Sequence, residues 1–380
     1  MDRIQVGHIP SITWHRLKTN EAVIEKVPVL DVSVGTTFAE LPEGVFVKTM
    51  TPEEAAKWMK AHAPEEEPEK VVASKQPIYH PQAFATGLGE EFDAYMSRSL
   101  QEVHLLEVED GAQVETPVSW DQTFYSGNQA ASAQIIHVGA GASLTLTMTS
   151  RSSRKAHGTA AVSTKVLLEK GAKLTLAKVQ LLGKGYTHFA DLGAALSEKA
   201  SMQFISLELG AANSYTGAQA ELVGNASAFQ AKVGYIAQDG TSDMNYNVVQ
   251  RGRKTNCEMS FDGVLDHGAV KRLSDTIDFR RGSKGSYGHE KENVLLLSDE
   301  IVNKSLPVIL CEEEDMEGSH GATIGQLDKD MLFYLASRGI DEKAAQQLMV
   351  RARLGAVARD LPQEELREEV RDYIEEAFQA

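Results

Sequence analysis

The chain has 380 residues, 42% of them hydrophobic, and a formal net charge of −16. This length suffices for a large core, while the negative charge opposes binding to nucleic acid. Two cysteines are too few for a disulfide framework, and no apolar run has the length of a membrane span or of a signal peptide's core, so we expect a cytoplasmic protein without membrane contact.

The first predicted region, residues 1–100, is mixed and partly helical. Thr51 precedes Pro52, Glu53 and Glu54, which predicts a helix over 51–62 with Thr51 as its N-cap and two glutamates at its positive end. Residues 63–70, APEEEPEK, are expected to form an acidic linker. A second helix is predicted to begin near Gly89.

The second region, residues 101–327, consists of short alternating runs. At positions 144–149 apolar residues alternate with threonines, which indicates strands with one buried face. A pair of residues, mostly Gly-Ala, recurs before these strands, and the intervals between the alanines are 30, 30, 28, 26 and 43 residues. The six pairs are Gly111-Ala112, Gly141-Ala142, Gly171-Ala172, Lys199-Ala200, Asn225-Ala226 and Gly268-Ala269.

Such a repeat is typical of a unit that buries its apolar face by stacking on copies of itself. Glycine permits a sharp turn at each corner, so stacked coils of short strands predict a parallel β-helix, or solenoid. The alternative is a β-sandwich in which the same pairs form ordinary hairpin turns.

The third region, residues 328–380, is predicted to be helical. Leu332, Leu335 and Leu348 recur at helical spacing, Gly339 ends one helix and Asp341 caps the next. A last helix after Pro362 has one apolar stripe, made of Leu366, Val370, Tyr373, Ile374 and Phe378. This stripe docks either on the chain's own core or on a partner protein.

Three residues are candidate metal ligands. His320 lies among small residues, and a neutral imidazole binds iron or zinc, although the same histidine could instead shape the local turn. Cys311 follows an apolar run and could approach His320, or it could be a small core residue. Glu317 belongs to the acidic run 312–317, which could attract ferrous iron or form a solvated loop.

Searches for catalytic motifs return nothing. The chain has no GxxxxGK[ST] phosphate loop, no GxSxG nucleophile elbow, no CxxC and no HExxH. We therefore predict a protein that is not an enzyme and has no ATP site of its own.

Two phrases near the C-terminus carry a family resemblance. Residues 318–328, GSHGATIGQLD, and 331–340, MLFYLASRGI, together resemble the closing signature of the SufB/SufD family of iron–sulfur cluster assembly scaffolds. Residues 11–23, with Trp14 and Asn20, are similar to another family segment. The resemblance implies a right-handed parallel β-helix with helical segments at both ends, and a partner that is an ABC-type ATPase.

The resemblance also implies roles for particular residues. It places His320 where two scaffold subunits meet, as a ligand of a transient iron–sulfur cluster shared with a partner. The C-terminal helices would contact the ATPase through Leu332, Phe333, Tyr334, Leu335, Arg338, Leu348 and Arg353. Arg353 replaces a phenylalanine that is common in the family, so that contact is expected to differ.

The chain is most like the SufD branch. Many SufD-like members carry a cysteine where this chain has Gly318, and SufB-like members carry one near the position of Glu292. Because thiolates are the usual cluster ligands, we expect this chain to rely on ligands from a SufB-like subunit, or from a second copy of itself. The alternative functions are a β-helix enzyme acting on acidic polysaccharide and a left-handed β-helix acyltransferase.

Overall fold

A computed structural model describes residues 3–10, 19–34, 36–38, 40–62 and 84–378. Trp14, which belongs to the segment that is similar to the family, and the expected acidic linker at 63–70 lie outside the described residues. Before the main body come β1 Arg3–Val6, β2 Ala22–Glu25, β3 Val32–Ser33, β4 Thr36–Phe38, β5 Val45–Met50, α1 Pro52–His62 and α2 Glu90–Ser97. The predicted helix at 51–62 is therefore confirmed. Thr51 Oγ1 accepts a hydrogen bond from the Glu54 amide at 3.3 Å, as an N-cap does.

Sixteen strands then form the main body. They are β6 Val103–Val108, β7 Val118–Thr123, β8 Gln129–Val138, β9 Ser143–Arg151, β10 His157–Leu168, β11 Lys173–Leu181, β12 Gly185–Leu196, β13 Ser201–Glu208, β14 Asn213–Leu222, β15 Ala228–Ala237, β16 Thr241–Gln250, β17 Asn256–Leu265, β18 Val270–Phe279, β19 Ser286–Leu296, β20 Val302–Cys311 and β21 Met316–Gly325. Three helices follow: α3 Lys329–Ser337, α4 Glu342–Ala358 and α5 Glu364–Ala377.

The sixteen strands form a parallel β-solenoid of about 8 turns, which confirms the predicted fold. Even-numbered strands stack in one sheet, odd-numbered strands in the other, and each coil contributes one strand to each sheet. Leu144 and Leu146 stand in register with Leu174 and Leu176 of the next coil, and all four are buried. The alternation seen in the sequence thus builds a continuous apolar interior.

The recurring pairs mark one corner of the solenoid, with two corrections. Gly111, Gly141, Gly171 and Lys199 all have positive φ, and each amide donates to a carbonyl of the following coil. In the next coil this role belongs to Ala226 rather than Asn225, and then to Lys254 and Gly285. Gly268 lies at the opposite corner, between β17 and β18. The interval of 43 residues was therefore measured between positions at two different corners of the solenoid.

A glycine at one of these stacked corner positions should contribute to the stability of the fold. Gly171 has φ +70°, and an added Cβ would make only an ordinary contact with the Gly141 backbone at 3.9 Å, so Gly171→Ala introduces backbone strain without a steric clash. We expect a loss of about 1 kcal/mol in the free energy of unfolding, measured by urea denaturation. Gly355→Ala, in the last turn of α4 where nothing lies within 4 Å of an added Cβ, should raise that free energy by up to about 1 kcal/mol. Equal effects of the two substitutions would contradict the argument.

Both outer faces of the solenoid are covered. The apolar stripe of α5, through Leu366, Val370 and Ile374, packs with α4 against outward-facing residues of β11, β13 and β15. The stripe is therefore part of the chain's own core. On the other sheet, α2 and residues near β1 pack against Ala131, Ala161 and Phe189.

Asp191 lies beneath this second cover and is fully buried. Its Oδ1 accepts the amide of Leu88 at 3.0 Å, and burial raises the pKa of Asp191 to about 7. The unfolded chain releases this proton near pH 4, so the stability that the group contributes at low pH is lost as pH rises toward 7.

Asp191→Asn keeps the acceptor oxygen and removes the charge. The stability of the variant relative to the parent should increase by on the order of 2 kcal/mol between pH 5 and pH 8. Urea denaturation at both pH values measures this difference. Parallel pH profiles of the two proteins would show that Asp191 does not titrate as described.

The two ends of the solenoid differ. At the first coil, β4 pairs with β7 and β5 pairs with β6, both antiparallel, so the outer edges of the first-coil strands β6 and β7 are covered. At the last coil, no further strand of the described chain pairs with β20 or β21. We call these two strands the open end. None of the helices in the described ranges has the length and apolar character needed to cross a membrane.

Candidate functional site at the open end

His320 lies in the middle of β21, in register with Glu290 of β19. It shares a strand face with Gly318, where an added Cβ would lie 3.1 Å from Phe279 and 3.4 Å from Ile309, so this face looks into the solenoid. Because no coil follows, the His320 side chain is exposed although it faces inward. A site at this histidine is therefore open to a second molecule.

Two buried carboxyl groups lie behind His320. Burial raises the pKa of Asp275, and the nearby His320 acts in the opposite direction. Burial, followed by the neighbouring Asp275, raises the pKa of Glu290. Two adjacent carboxyl groups in a low dielectric cannot both ionise easily, so we expect them to hold one proton between them at neutral pH.

A buried ion pair completes this polar interior. Lys271 Nζ contacts the carboxylate of Glu292 and donates to Ser305 Oγ of β20 at 3.0 Å. Glu292, which the family resemblance places near a cysteine of SufB-like proteins, is held by Lys271. The sequence alone singled out neither Lys271 nor the carboxyl pair of Asp275 and Glu290, although charged residues at the inward positions of β18 and β19 were an available signal.

The other two candidate ligands, Cys311 and Glu317, do not form a metal-binding group with His320. Cys311 is exposed at the end of β20, and its thiol donates to the Glu313 carbonyl at 2.8 Å. Glu317 is three residues from His320 on the same strand, so it lies on the opposite, outer face. Within the described residues, no group of three or more His, Cys, Asp or Glu side chains could hold a metal ion.

The acidic run is largely an ordered loop. The Glu313 carboxylate accepts hydrogen bonds from the backbone amides of Gly282, Asp315 and Glu314. These hydrogen bonds, that from Gly282 first, lower the pKa of Glu313. Cys257 is buried in β17, and burial raises the pKa of its thiol, which makes it a poor ligand.

Helix α3 and a neighbouring residue of α4 present an exposed apolar surface. Phe333 is 77% exposed, Tyr334 56% and Leu348 49%, and the Arg338 guanidinium lies 5.3 Å from the Tyr334 ring centroid. Leu332 and Leu335 are half-buried. An apolar surface of this kind commonly marks a protein interaction site.

Arg353 is directed toward the chain's own sheet. Its Nη1 lies 3.7 Å from Asp262 Oδ1 on β17. The side chains of Arg353 and Asp262 are only 23% and 20% exposed. The departure from the family pattern at this position thus has an internal partner.

Comparison with known proteins agrees with this architecture. Residues 123–353 match the family model described as SUF system FeS cluster assembly, SufBD core domain. The iron–sulfur cluster assembly protein SufD of Bacillus subtilis is 29% identical over 152 residues, 36% of this chain and 35% of that protein. An iron–sulfur cluster assembly SufBD family protein of Staphylococcus epidermidis is 18% identical over 200 residues, 52% of this chain and 43% of that protein.

A third relative matches a shorter stretch more closely. An iron–sulfur cluster assembly SufBD family protein of Pyrococcus horikoshii is 36% identical over 80 residues, 21% of this chain and 18% of that protein. The matched part of the chain thus spans less than half the length of each of these relatives.

Proposed function

Since the chain belongs to the SufBD family of iron–sulfur cluster assembly proteins, we propose that it is a non-catalytic, SufD-like scaffold subunit of a SUF-type complex. Its partners are a SufB-like subunit, or a second copy, and an ABC-type ATPase. Two free cysteines, Cys257 and Cys311, fit a reducing compartment, so we place its action in the cytoplasm.

The observation that carries this proposal is the contrast between the two ends of the solenoid. The first coil is covered by antiparallel strands, while the last leaves one edge of β20 and of β21 without a partner strand in the described chain, and the inward-facing His320 is exposed there. Unpaired strand edges favour addition of another chain. A scaffold partner that docks here meets the histidine directly.

The cluster is cargo in this account, held between subunits. This chain supplies the His320 imidazole, and the partner supplies thiolates, because no described group of side chains here could hold a metal alone. The carboxyl pair of Asp275 and Glu290 lies behind the histidine, where it can take or return a proton when a ligand binds. The described parts of region 1–100 then serve as cover, region 101–327 as scaffold and region 328–380 as the partner-binding segment.

The ATPase docks on the exposed surface of α3 and α4. Phe333 and Tyr334 provide aromatic area at low conformational cost, and Arg338 is held beside Tyr334. ATP hydrolysis occurs on the partner, and its movement opens or closes the junction at the open end.

Matched variants test the two surfaces separately. Ile324→Lys puts a charge on an exposed apolar position of β21, and Phe46→Lys does the same on β5 at the covered end. Ile324→Lys should weaken co-purification with the SufB-like subunit about tenfold or more, whereas Phe46→Lys should leave it unchanged. Phe333→Ala with Tyr334→Ala should remove only the ATPase. Equal losses at both ends would refute docking at the open end.

A further inference from the structure

Two corner loops next to the open end are strongly basic. The loop between β16 and β17 carries Arg251, Arg253 and Lys254, and the loop between β18 and β19 carries Arg280, Arg281 and Lys284. The two loops stack directly, because the Lys254 amide donates to the Lys284 carbonyl at 3.0 Å. Six basic residues thus meet on two successive coils of a chain whose net charge is −16.

The six side chains fall into two groups. Arg251 Nε donates to Glu221 at 2.8 Å, and Arg280 contacts Glu312 at 3.2 Å, so these two are neutralised within the chain. The other four are exposed, and Lys284 approaches Asp315 only to 3.6 Å. We call these four the corner patch: Arg253, Lys254, Arg281 and Lys284.

The corner patch lies one coil away from the open end. The Gly285 amide donates to the Asp315 carbonyl at 2.6 Å, and the Gly282 amide donates to Glu313 at 3.0 Å. The corner loop of the last coil, residues 312–315 between β20 and β21, is acidic. Basic and acidic loops therefore follow one another along the same edge, and the acidic loop leads directly into β21, the strand that carries His320.

We infer that the corner patch docks an acidic segment of a second protein, one that exchanges material with the open end. This inference rests on the proposed function, since it assigns a delivery or acceptor partner to the same site. Lys284 has Asp315 as an ion-pair partner at 3.6 Å, whereas the side chains of Arg253, Lys254 and Arg281 have no ion pair within the described residues and remain available to the carboxylates of a partner. The acidic loop beside them repels a misplaced partner and so fixes the direction of docking.

The charge arrangement favours an acidic protein segment over a nucleic acid or a membrane. The patch occupies two coils spaced by about 4.8 Å, which matches a few carboxylates rather than an extended row of phosphates. A longer polyanion would run into the acidic loop at 312–315 or into the negative field of the whole chain. A short acidic segment avoids both.

Binding of fluorescein-labelled hexaglutamate to the full chain, measured by anisotropy at low and physiological salt, tests the inference. The parent should bind the peptide, more weakly at higher salt. Arg253→Glu with Arg281→Glu should lower the affinity by about tenfold or more, because two attractive charges become repulsive. Arg253→Lys with Arg281→Lys should retain binding.

A control with the same change in net charge separates the patch from the overall field. Lys60→Glu with Arg98→Glu reverses two exposed charges on and next to the helices α1 and α2 and should leave peptide affinity unchanged. An equal loss in this control would overturn the inference. So would tighter binding of a thymidine hexanucleotide or of phosphatidylserine vesicles than of the peptide.

The corner patch and the proposed scaffold role can fail independently. The Arg253→Glu and Arg281→Glu variant should still co-purify with the SufB-like subunit and the ATPase. If the parent chain itself does not assemble with them, the proposed function is wrong, whereas the peptide measurement still reports on the patch.

Discussion

Replacing Arg272 with alanine should lower the free energy of unfolding by about 3–5 kcal/mol, the largest loss that we expect from a single substitution. The guanidinium makes two 2.6 Å hydrogen bonds to Asp243. It also donates to the carbonyls of Thr19 at 2.8 Å and Gly7 at 3.2 Å. One side chain therefore joins the N-terminal cover to β16 and β18.

The loss is large because the substitution leaves Asp243 buried without its positively charged partner. The side chains of Arg272 and Asp243 are only 8% and 6% exposed. Burial already raises the pKa of Asp243 even with Arg272 present, so without the arginine its charge is uncompensated. Urea denaturation measures the change, and limited proteolysis should show earlier cleavage near the N-terminus.

Two variants control for this interpretation. Arg3→Ala breaks the exposed pair between Arg3 and Glu25, which are 3.7 Å apart, and should cost at most about 1 kcal/mol. Replacing both buried partners, in Arg272→Met with Asp243→Leu, should be less damaging than Arg272→Ala alone. A loss from Arg272→Ala no greater than that from Arg3→Ala would contradict the role of this pair in holding the cover.

His320→Ala should leave the fold and its stability unchanged and lower the cluster yield of the assembled complex about tenfold or more. The side chain is exposed, so its removal creates no cavity, but the open end loses its imidazole. The yield is measured from the visible absorbance and iron content of the co-purified complex.

A second histidine supplies the matched control. His289 lies one residue before Glu290 on β19, faces the outside and contacts Ser319 Oγ at 2.9 Å. His289→Ala should therefore leave the cluster yield unchanged. Normal yield in His320→Ala, or equal losses in both variants, would remove His320 from the proposed site.

The sequence permits prediction of the solenoid but not of its full register. Alternating residues at 144–149 and the glycine corners at 111, 141 and 171 identify the strands and the stacking. The same corner then continues through Lys199, Ala226 and Lys254, which adopt positive φ without being glycine. Stacking holds these residues in that conformation. A search for Gly-Ala pairs therefore does not find these corner positions and instead selects Gly268, which lies at the opposite corner.

The candidate site could be predicted only where a local motif marks it. The phrase around His320 made that residue a candidate, whereas Asp275 and Glu290 lie on the consecutive strands β18 and β19 of different sheets and approach each other only because both side chains point into the solenoid. The same limit applies to the corner patch, whose loops are about a coil apart in sequence. The α5 stripe is visible in the sequence, whereas its binding surface, the chain's own β11, β13 and β15, depends on the tertiary structure.

The most direct test of the scaffold account is the native mass of this chain co-expressed with a SufB-like subunit and a SUF-type ATPase. We predict one stable assembly that contains all three proteins and that loses the SufB-like subunit in Ile324→Lys. A chain that remains a monomer or homodimer and leaves both partners unbound would contradict the account.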